Sequence, residues 1–271
     1  MSVVAVITRI AAQKNHDSRF SVYVDSGNGE AFAFSVDEDI LVRFGLRKGL
    51  ELDHNAIQKI VHEDEINRAF QLCLSFLSYR MRSEREVIHF LKRKQVEQEI
   101  IPLVIGKLKE YRYIDDRQFA KNYVREKKGT VVKGPRLLFQ ELNEKGIAEE
   151  YIDEALREYA EHEQIEAATR FAIKKSKRFK KDSSLSAKNK IGQQLLQKGF
   201  DQETVQRALN EIPQKSGEEE WSALQIQAEK AHRRYSKYDG FEYEKRMKHH
   251  LYRKGFSVSQ VERLLKDWWL K

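Results

Sequence analysis

Asp115 and Asp116 are adjacent carboxylates, the residue type that holds a magnesium ion beside a phosphate, and metal-dependent nucleolytic cleavage is the chemistry they would serve. Such a site needs further acids converging from other elements. Capping of the helix that follows explains the pair without chemistry. His249 and His250 are neighbours, so on a helix they point to different sides and do not form a chelating pair. The single cysteine, Cys73, lies among Leu72, Leu74, Phe76 and Leu77, the setting of an inert core thiol in a reducing compartment. The chain has no phosphate-cradling glycine loop, dinucleotide fingerprint or nucleophile elbow. No catalytic residue, cofactor or resident metal is expected, and the chain does not read as an enzyme.

Cations carry more information. Leu142-x-x-Lys145-Gly146-Ile147, Leu195-x-x-Lys198-Gly199-Phe200 and Leu251-x-x-Lys254-Gly255-Phe256 repeat one pattern, with Leu91-x-x-Lys94-Gln95-Val96 as a degenerate first copy. Nine residues before the repeated lysine stand Arg85, Arg136, Asn189 and Lys245. Arg82 and Lys133 match each other a turn earlier. Cations recurring at one point of a repeated structure could follow a polyanion backbone or an acidic protein surface; solvation of a helix surface is the plain alternative. A second basic stretch runs from Arg170 to Lys190 with Asp182 as its only acid. Tyr111, Tyr113, Tyr123, Tyr235, Tyr238 and Tyr252 could stack on unpaired bases, although helix packing accounts for them equally.

The elements that must position these groups follow from periodicity. Val87, Leu138, Ile191 and Met247 lie one turn ahead of Leu91, Leu142, Leu195 and Leu251, giving each copy one buried stripe. Glycine after the lysine suits the left-handed residue that ends a helix. A second helix follows, with Ile101, Ile152, Val205 and Val261 in register, and the interval leaves room for a third helix before the pair. Ser83-x-x-Glu86 reads as a capping box and Gly134-Pro135 as a proline at a first helical turn, whereas Pro102 calls for a late start or a kink. The expected fold class is mainly α: an elongated, curved tandem array of three-helix repeats over 66–114, 115–161, 162–214 and 215–271. Trp268 and Trp269 are expected to seal the last copy.

Residues 1–65 differ in kind. They hold 7 basic and 11 acidic side chains, so the chain's net charge of +8 resides beyond them. Val3–Ile10, Phe20–Val24 and Ala31–Val36 are rich in β-branched and aromatic residues and read as three strands. Asp25 to Glu30 forms the loop between the last two, and a short helix capped by Asp37 or Asp39 follows. The 271 residues contain no apolar run long enough to span a bilayer. The chain is expected to be cytoplasmic, without a membrane partner.

Three segments together resemble the RecX family, regulators of the bacterial recombinase RecA. They are Leu77-Ser78-Tyr79-Arg80-Met81-Arg82-Ser83-Glu84-Arg85-Glu86-Val87, Tyr113-Ile114-Asp115-Asp116-x-x-Phe119-Ala120-x-x-Tyr123-Val124, and Gly134-Pro135-Arg136-Leu137-x-x-Glu141-Leu142-x-x-Lys145-Gly146-Ile147. The third and fourth copies and the β-rich start resemble the longer forms of Gram-positive bacteria. The resemblance implies a non-enzymatic modulator that binds RecA and its nucleoprotein filament. It would lower recombinase, ATPase and co-protease activity, in some members with binding to single- or double-stranded DNA. Arg82, Arg85, Lys133, Arg136 and Lys245 are the expected contact set, on a monomer. Gln95 in place of glycine and Pro135 beside Gly134 and Arg136 depart from the pattern. A general DNA-binding protein without a recombinase partner, a nuclease and a purely structural scaffold are the competing readings.

Overall fold

A computed structural model describes residues 4–14 and 16–269. The chain forms two compact units: one comprises residues 1–119 with 145–147, the other residues 120–144 with 148–271. In the first unit β1 (Ala5–Gln13), β2 (His16–Asp25), β3 (Glu30–Asp37) and the two-residue β4 (Glu51–Leu52) form an antiparallel sheet in the order β3-β2-β1-β4. The Asp25 carboxylate accepts the amides of Gly27 and Gly29 at 2.7 and 2.9 Å and closes the β2–β3 turn. One sheet face is covered by α1 (Glu38–Arg43) and α2 (His54–Leu77), around a core containing Ile7, Val22, Val36, Ile40 and Ile60. Arg19 links the layers, reaching Asp37 at 3.1 Å and the buried Asp64 of α2 at 2.9 Å, while the Asp37 amide donates to Asp64 at 2.7 Å.

The boundary expected at residue 65 falls inside α2. This helix is continuous for 24 residues, because its first half packs on the sheet through Ile57, Ile60 and Val61 and its second half supplies Ile66, Ala69 and Cys73 to the next core. α3 (Glu84–Arg93) and α4 (Ile100–Glu110) complete that triplet. Pro102 is the third residue of α4, within the first turn, where a missing N–H removes no intrahelical bond.

The second unit holds most of α5 (Asp116–Thr130), then α6 (Pro135–Glu144), α7 (Glu149–Arg157), α8 (Glu161–Ser176), α9 (Ser184–Gln197), α10 (Gln202–Asn210), α11 (Gly217–Tyr235), α12 (Gly240–Arg253) and α13 (Val258–Trp269). The side chains of Trp268 and Trp269, expected to seal the last copy, lie outside the described residues. All eight residues of the stripe, from Val87 and Leu91 to Met247 and Leu251, have no solvent exposure. The middle helices differ in length: α3 and α6 have 10 residues, α9 and α12 have 14. The extra turn lies at the N-terminal end, since all four end at the repeated lysine.

One contact recurs between successive triplets. The hydroxyl of Ser83, the residue before α3, donates to the Lys145 carbonyl at 2.8 Å. Ser183, before α9, donates likewise to the Lys254 carbonyl. Gly134, before α6, has no hydroxyl; its amide donates to the Lys198 carbonyl at 2.7 Å, and the Arg136 amide donates to Gly199 at 3.1 Å. Thus the carbonyl left free at the end of one middle helix is taken by the start of the preceding one. The following triplet also supplies a carboxylate to the first amide of that helix: Asp116 accepts from Glu84 at 2.8 Å, and Glu220 accepts from Ser184 at 3.0 Å. Pro135 occupies this position in α6 and has no N–H to satisfy, which explains the proline that breaks the pattern.

The approach is close enough to select glycine. Gly199 has φ +86°, and a Cβ there would lie 2.3 Å from the Leu137 nitrogen. At Gly134 it would lie 2.4 Å from the carbonyl carbon of Gly199. Gln95, in the same left-handed geometry at φ 59°, is exposed, and no earlier triplet precedes it. Gly199→Ala should therefore lower stability by about 2–4 kcal/mol, whereas Gln95→Gly should raise it by about 0.5–1 kcal/mol. Urea unfolding of the full chain checks both, and an unchanged midpoint for Gly199→Ala would contradict the joint.

Candidate polyanion and protein interface

The five expected contact residues occupy different environments. Arg85 and Arg136 are each two residues past the cap of their helix and both are exposed. The stem of Arg85 lies over the turn at Gly146, where an added Cβ would come within 2.6 Å of its Cδ, so its chain packs while its guanidinium meets solvent. Lys245 is exposed as well, but the longer α12 places it six residues past its cap, Asp239. Leu185 and Phe241 stand where Arg85 and Arg136 do relative to the caps, and they are 56% and 80% exposed. Counted back from the lysine, where the middle helices end, Lys245 aligns with the two arginines; counted from the helix starts it lies one turn further along.

Lys133 is engaged within its own triplet. Its ammonium pairs with Glu141, which also accepts the Tyr123 hydroxyl at 2.8 Å. Only 22% of its side chain is exposed, leaving little of the charge for an external anion. Arg82 is stacked: its guanidinium carbon lies 4.2 Å from the Phe76 ring centre, and Phe76 stacks in parallel on Phe90 at 4.1 Å. Its Nε is buried without a hydrogen-bond partner. Burial, and then repulsion from Arg80, draw its pKa below the ordinary arginine value against the attraction of Glu86. The group stays charged.

Glu86 is the centre of this end of α3. Its carboxylate accepts from Arg80 at 2.8 Å, from the Ser83 amide at 3.1 Å and from Lys145 at 3.3 Å. Burial by itself would raise its pKa. The Arg80 and Ser83 hydrogen bonds and the Lys145 charge outweigh that and hold the carboxyl down to about 2.

The two adjacent acids serve two helix ends. Asp115 accepts the Gln118 amide at 2.9 Å and caps α5, while Asp116 accepts from Glu84. Burial, offset in part by that amide, raises the Asp116 pKa. Among the described residues no group of three His, Cys, Asp or Glu side chains could hold a metal ion. Cys73 is fully buried, and desolvation pushes its thiol up to about 12, which suppresses thiolate chemistry.

In the basic stretch, Lys190 pairs with Asp182 at 2.8 Å and Arg170 with Glu166. Lys174, Lys177, Arg178, Lys180 and Lys181 are exposed. Of the tyrosines singled out in the sequence, Tyr111 and Tyr113 are 62% and 52% exposed but lean on Phe70. Arg246 lies over Tyr238 at 4.2 Å. The sequence reading passed over Tyr79, which is 86% exposed in the loop beside Arg80. An aromatic directly before Arg80 and Arg82, just ahead of a capping box, was the available signal.

Family models cover each part of this architecture. The regulatory protein RecX N-terminal domain matches residues 5–53, and the first and second RecX three-helix domains match 69–108 and 115–156. The third RecX three-helix domain matches twice, at 162–209 and 218–265. The chain belongs to the RecX family. The double match fits the 14-residue middle helices shared by the last two triplets, which make the fourth RecX repeat a second version of the third. The regulatory protein RecX of Geobacillus sp. (strain WCH70) is 45% identical over 260 residues, 96% of each chain. That of Halalkalibacterium halodurans is 43% identical over 265 residues, covering 97% of this chain and all of the relative. A crystal structure of regulatory protein RecX superposes with a TM-score of 0.66 at 34% identity, covering 76% of this chain and 99% of that one. No described helix is long and apolar enough to cross a membrane.

The depressed pKa of Glu86 sets a pH dependence. Its ionised form adds stability that is fully present above about pH 5 and is lost as pH falls from the ordinary value of 4.5 towards about 2. Glu86→Gln should be less stable than the parent by about 1–3 kcal/mol at neutral pH, and the two should converge as pH approaches 2. Denaturation midpoints across that range check this; a constant difference would place the effect outside the carboxylate.

Proposed function

We propose that this protein is a non-enzymatic, cytoplasmic, monomeric regulator that binds RecA and the RecA–DNA filament and lowers recombinase, ATPase and co-protease activity. The observation that carries this reading is membership of a family of regulatory proteins along nearly the whole chain, joined to the absence from the sequence of any nucleotide-binding or nucleophile motif. The partner follows from what the RecX resemblance implies.

Cations exposed at helix starts supply the means. Arg85 and Arg136 repeat at one position relative to the caps, and Lys245 adds a charge one turn along α12. Arg82, held over the Phe76 ring, is preorganised and loses less rotational freedom on binding than a free side chain. Lys133 belongs to the fold through Glu141 and is the weakest member of the set. Exposed cations contribute on the order of 0–1 kcal/mol each, so their effect is cumulative.

A second reading, general DNA binding without a recombinase partner, is favoured by the exposed lysines and arginine of residues 174–181. RecA ATP hydrolysis on single-stranded DNA, measured at several salt concentrations, separates the two. Reversing Arg82, Arg85, Arg136 and Lys245 together to Glu should weaken inhibition by at least about tenfold, while Lys133→Ala should leave it nearly intact and lower stability. Inhibition that persists in the folded quadruple variant rejects this contact set. Inhibition only at concentrations that coat bare DNA, with steep salt dependence, favours the second reading.

A further inference from the structure

The third triplet carries a cleft that the contact set proposed above does not use. It has a volume of about 590 Å³ and opens between the end of α8, the start of α9 and the segment joining α10 to α11. Ile173, Leu185, Ala187, Ile191, Ile212 and Pro213 form its apolar surface. Lys177, Lys180 and Lys188 also line it, and among the described residues no carboxylate pairs with any of the three.

The neighbouring acids are engaged elsewhere. Glu219, the one acid in the lining, closes the capping box of α11 by accepting the Ser216 amide at 3.0 Å. Glu220 accepts the amide and hydroxyl of Ser184, and Asp182 holds Lys190. The wall is fixed: Lys215 donates to the carbonyls of Phe179, Lys180 and Asp182, and Gln227 donates to that of Lys181 at 2.6 Å. The segment bearing Lys180 is therefore pinned from two sides, and the cleft is preformed.

We propose that this cleft binds an acidic peptide segment of a partner protein, with a bulky apolar side chain in the cleft and flanking carboxylates on Lys177, Lys180 and Lys188. A nucleic acid would meet the cations with its phosphates, but its bases would find no aromatic partner, because the lining holds no Phe, Tyr or Trp. A hydrated phosphate backbone also leaves an apolar surface unfilled. A peptide satisfies both halves: burial of one large apolar side chain supplies affinity, and charge complementarity sets orientation and on-rate.

The test uses the full chain and a short fluorescein-labelled peptide with a central Leu-Phe pair between runs of Glu. Fluorescence anisotropy should saturate. The joint variant Lys177→Glu, Lys180→Glu, Lys188→Glu should weaken binding by at least about tenfold, as should replacing the Leu-Phe pair by two serines. Circular dichroism confirms that the variant remains folded; should it not, Lys188→Gln with Lys180→Gln keeps the charge test available. Failure to saturate, indifference to the lysine changes, or equal binding of the serine peptide overturns the assignment. So does binding of oligothymidylate or phosphatidylglycerol vesicles that is lost in the triple-lysine variant, with no binding of the peptide. Because no recombinase is present, the outcome is independent of the function proposed above.

Discussion

A helix that ends in water leaves its last carbonyls to solvent; here the carbonyl at the end of the middle helix of the second, third and fourth triplets is bonded by the start of the middle helix before it. The glycine turns and the residues that start the middle helices follow from that bond. A backbone must come close enough to donate to Lys145, Lys198 or Lys254, so the next residue is a left-handed glycine with no Cβ to obstruct the approach. The donor is a serine hydroxyl where the cap has one and a bare amide at Gly134 where the approach is closest. Gln95 shows the converse. The first triplet has no predecessor to receive its turn, and there a side chain is accommodated in the same backbone geometry.

The same joint decides which charges remain available. Glu86, Asp116, Glu219 and Glu220 sit at helix starts and accept backbone amides, as negative groups do at the positive end of a helix dipole. Glu86 still pairs with Arg80 and Lys145, whereas Glu219 and Glu220 are committed to amides and a hydroxyl beside the third triplet's cleft. Arg85, Arg136 and the lysines around the third triplet's cleft are left facing outward, so a modest net charge is concentrated at a few surfaces. Architecture and electrostatics thus share one origin, the use of carboxylates to finish helices.

Much of the fold was legible from spacing. The buried stripe from Val87 to Leu251, the capping box at Ser83 and the β-rich start all appear where periodicity puts them, because a helix must bury one face and a strand must alternate. Less of the site was legible. Counting back from the repeated lysine gives Lys245 the place of Arg85 and Arg136, two residues before the buried Met247, Val87 and Leu138, and hides the extra turn that α9 and α12 carry at their starts. Lys133 looked like a matching cation because its partner, Glu141, is eight residues away, beyond the reach of any pattern of neighbours. The boundary at residue 65 followed a change in composition, while α2 runs through it with one face for each core.

The sequence by itself determined which residues are buried, where most helices start and stop, and that the helical part is built from one unit used four times. These depend on interactions within a few turns of chain, whose geometry is the same wherever the unit sits. Tertiary structure alone decided that Ser83 reaches Lys145, that Pro135 relieves a helix start of an unsatisfied amide, and which cations are left without an acid. Those outcomes depend on groups dozens of residues apart brought within 3 Å, a distance set by the packing of whole triplets and by no local preference.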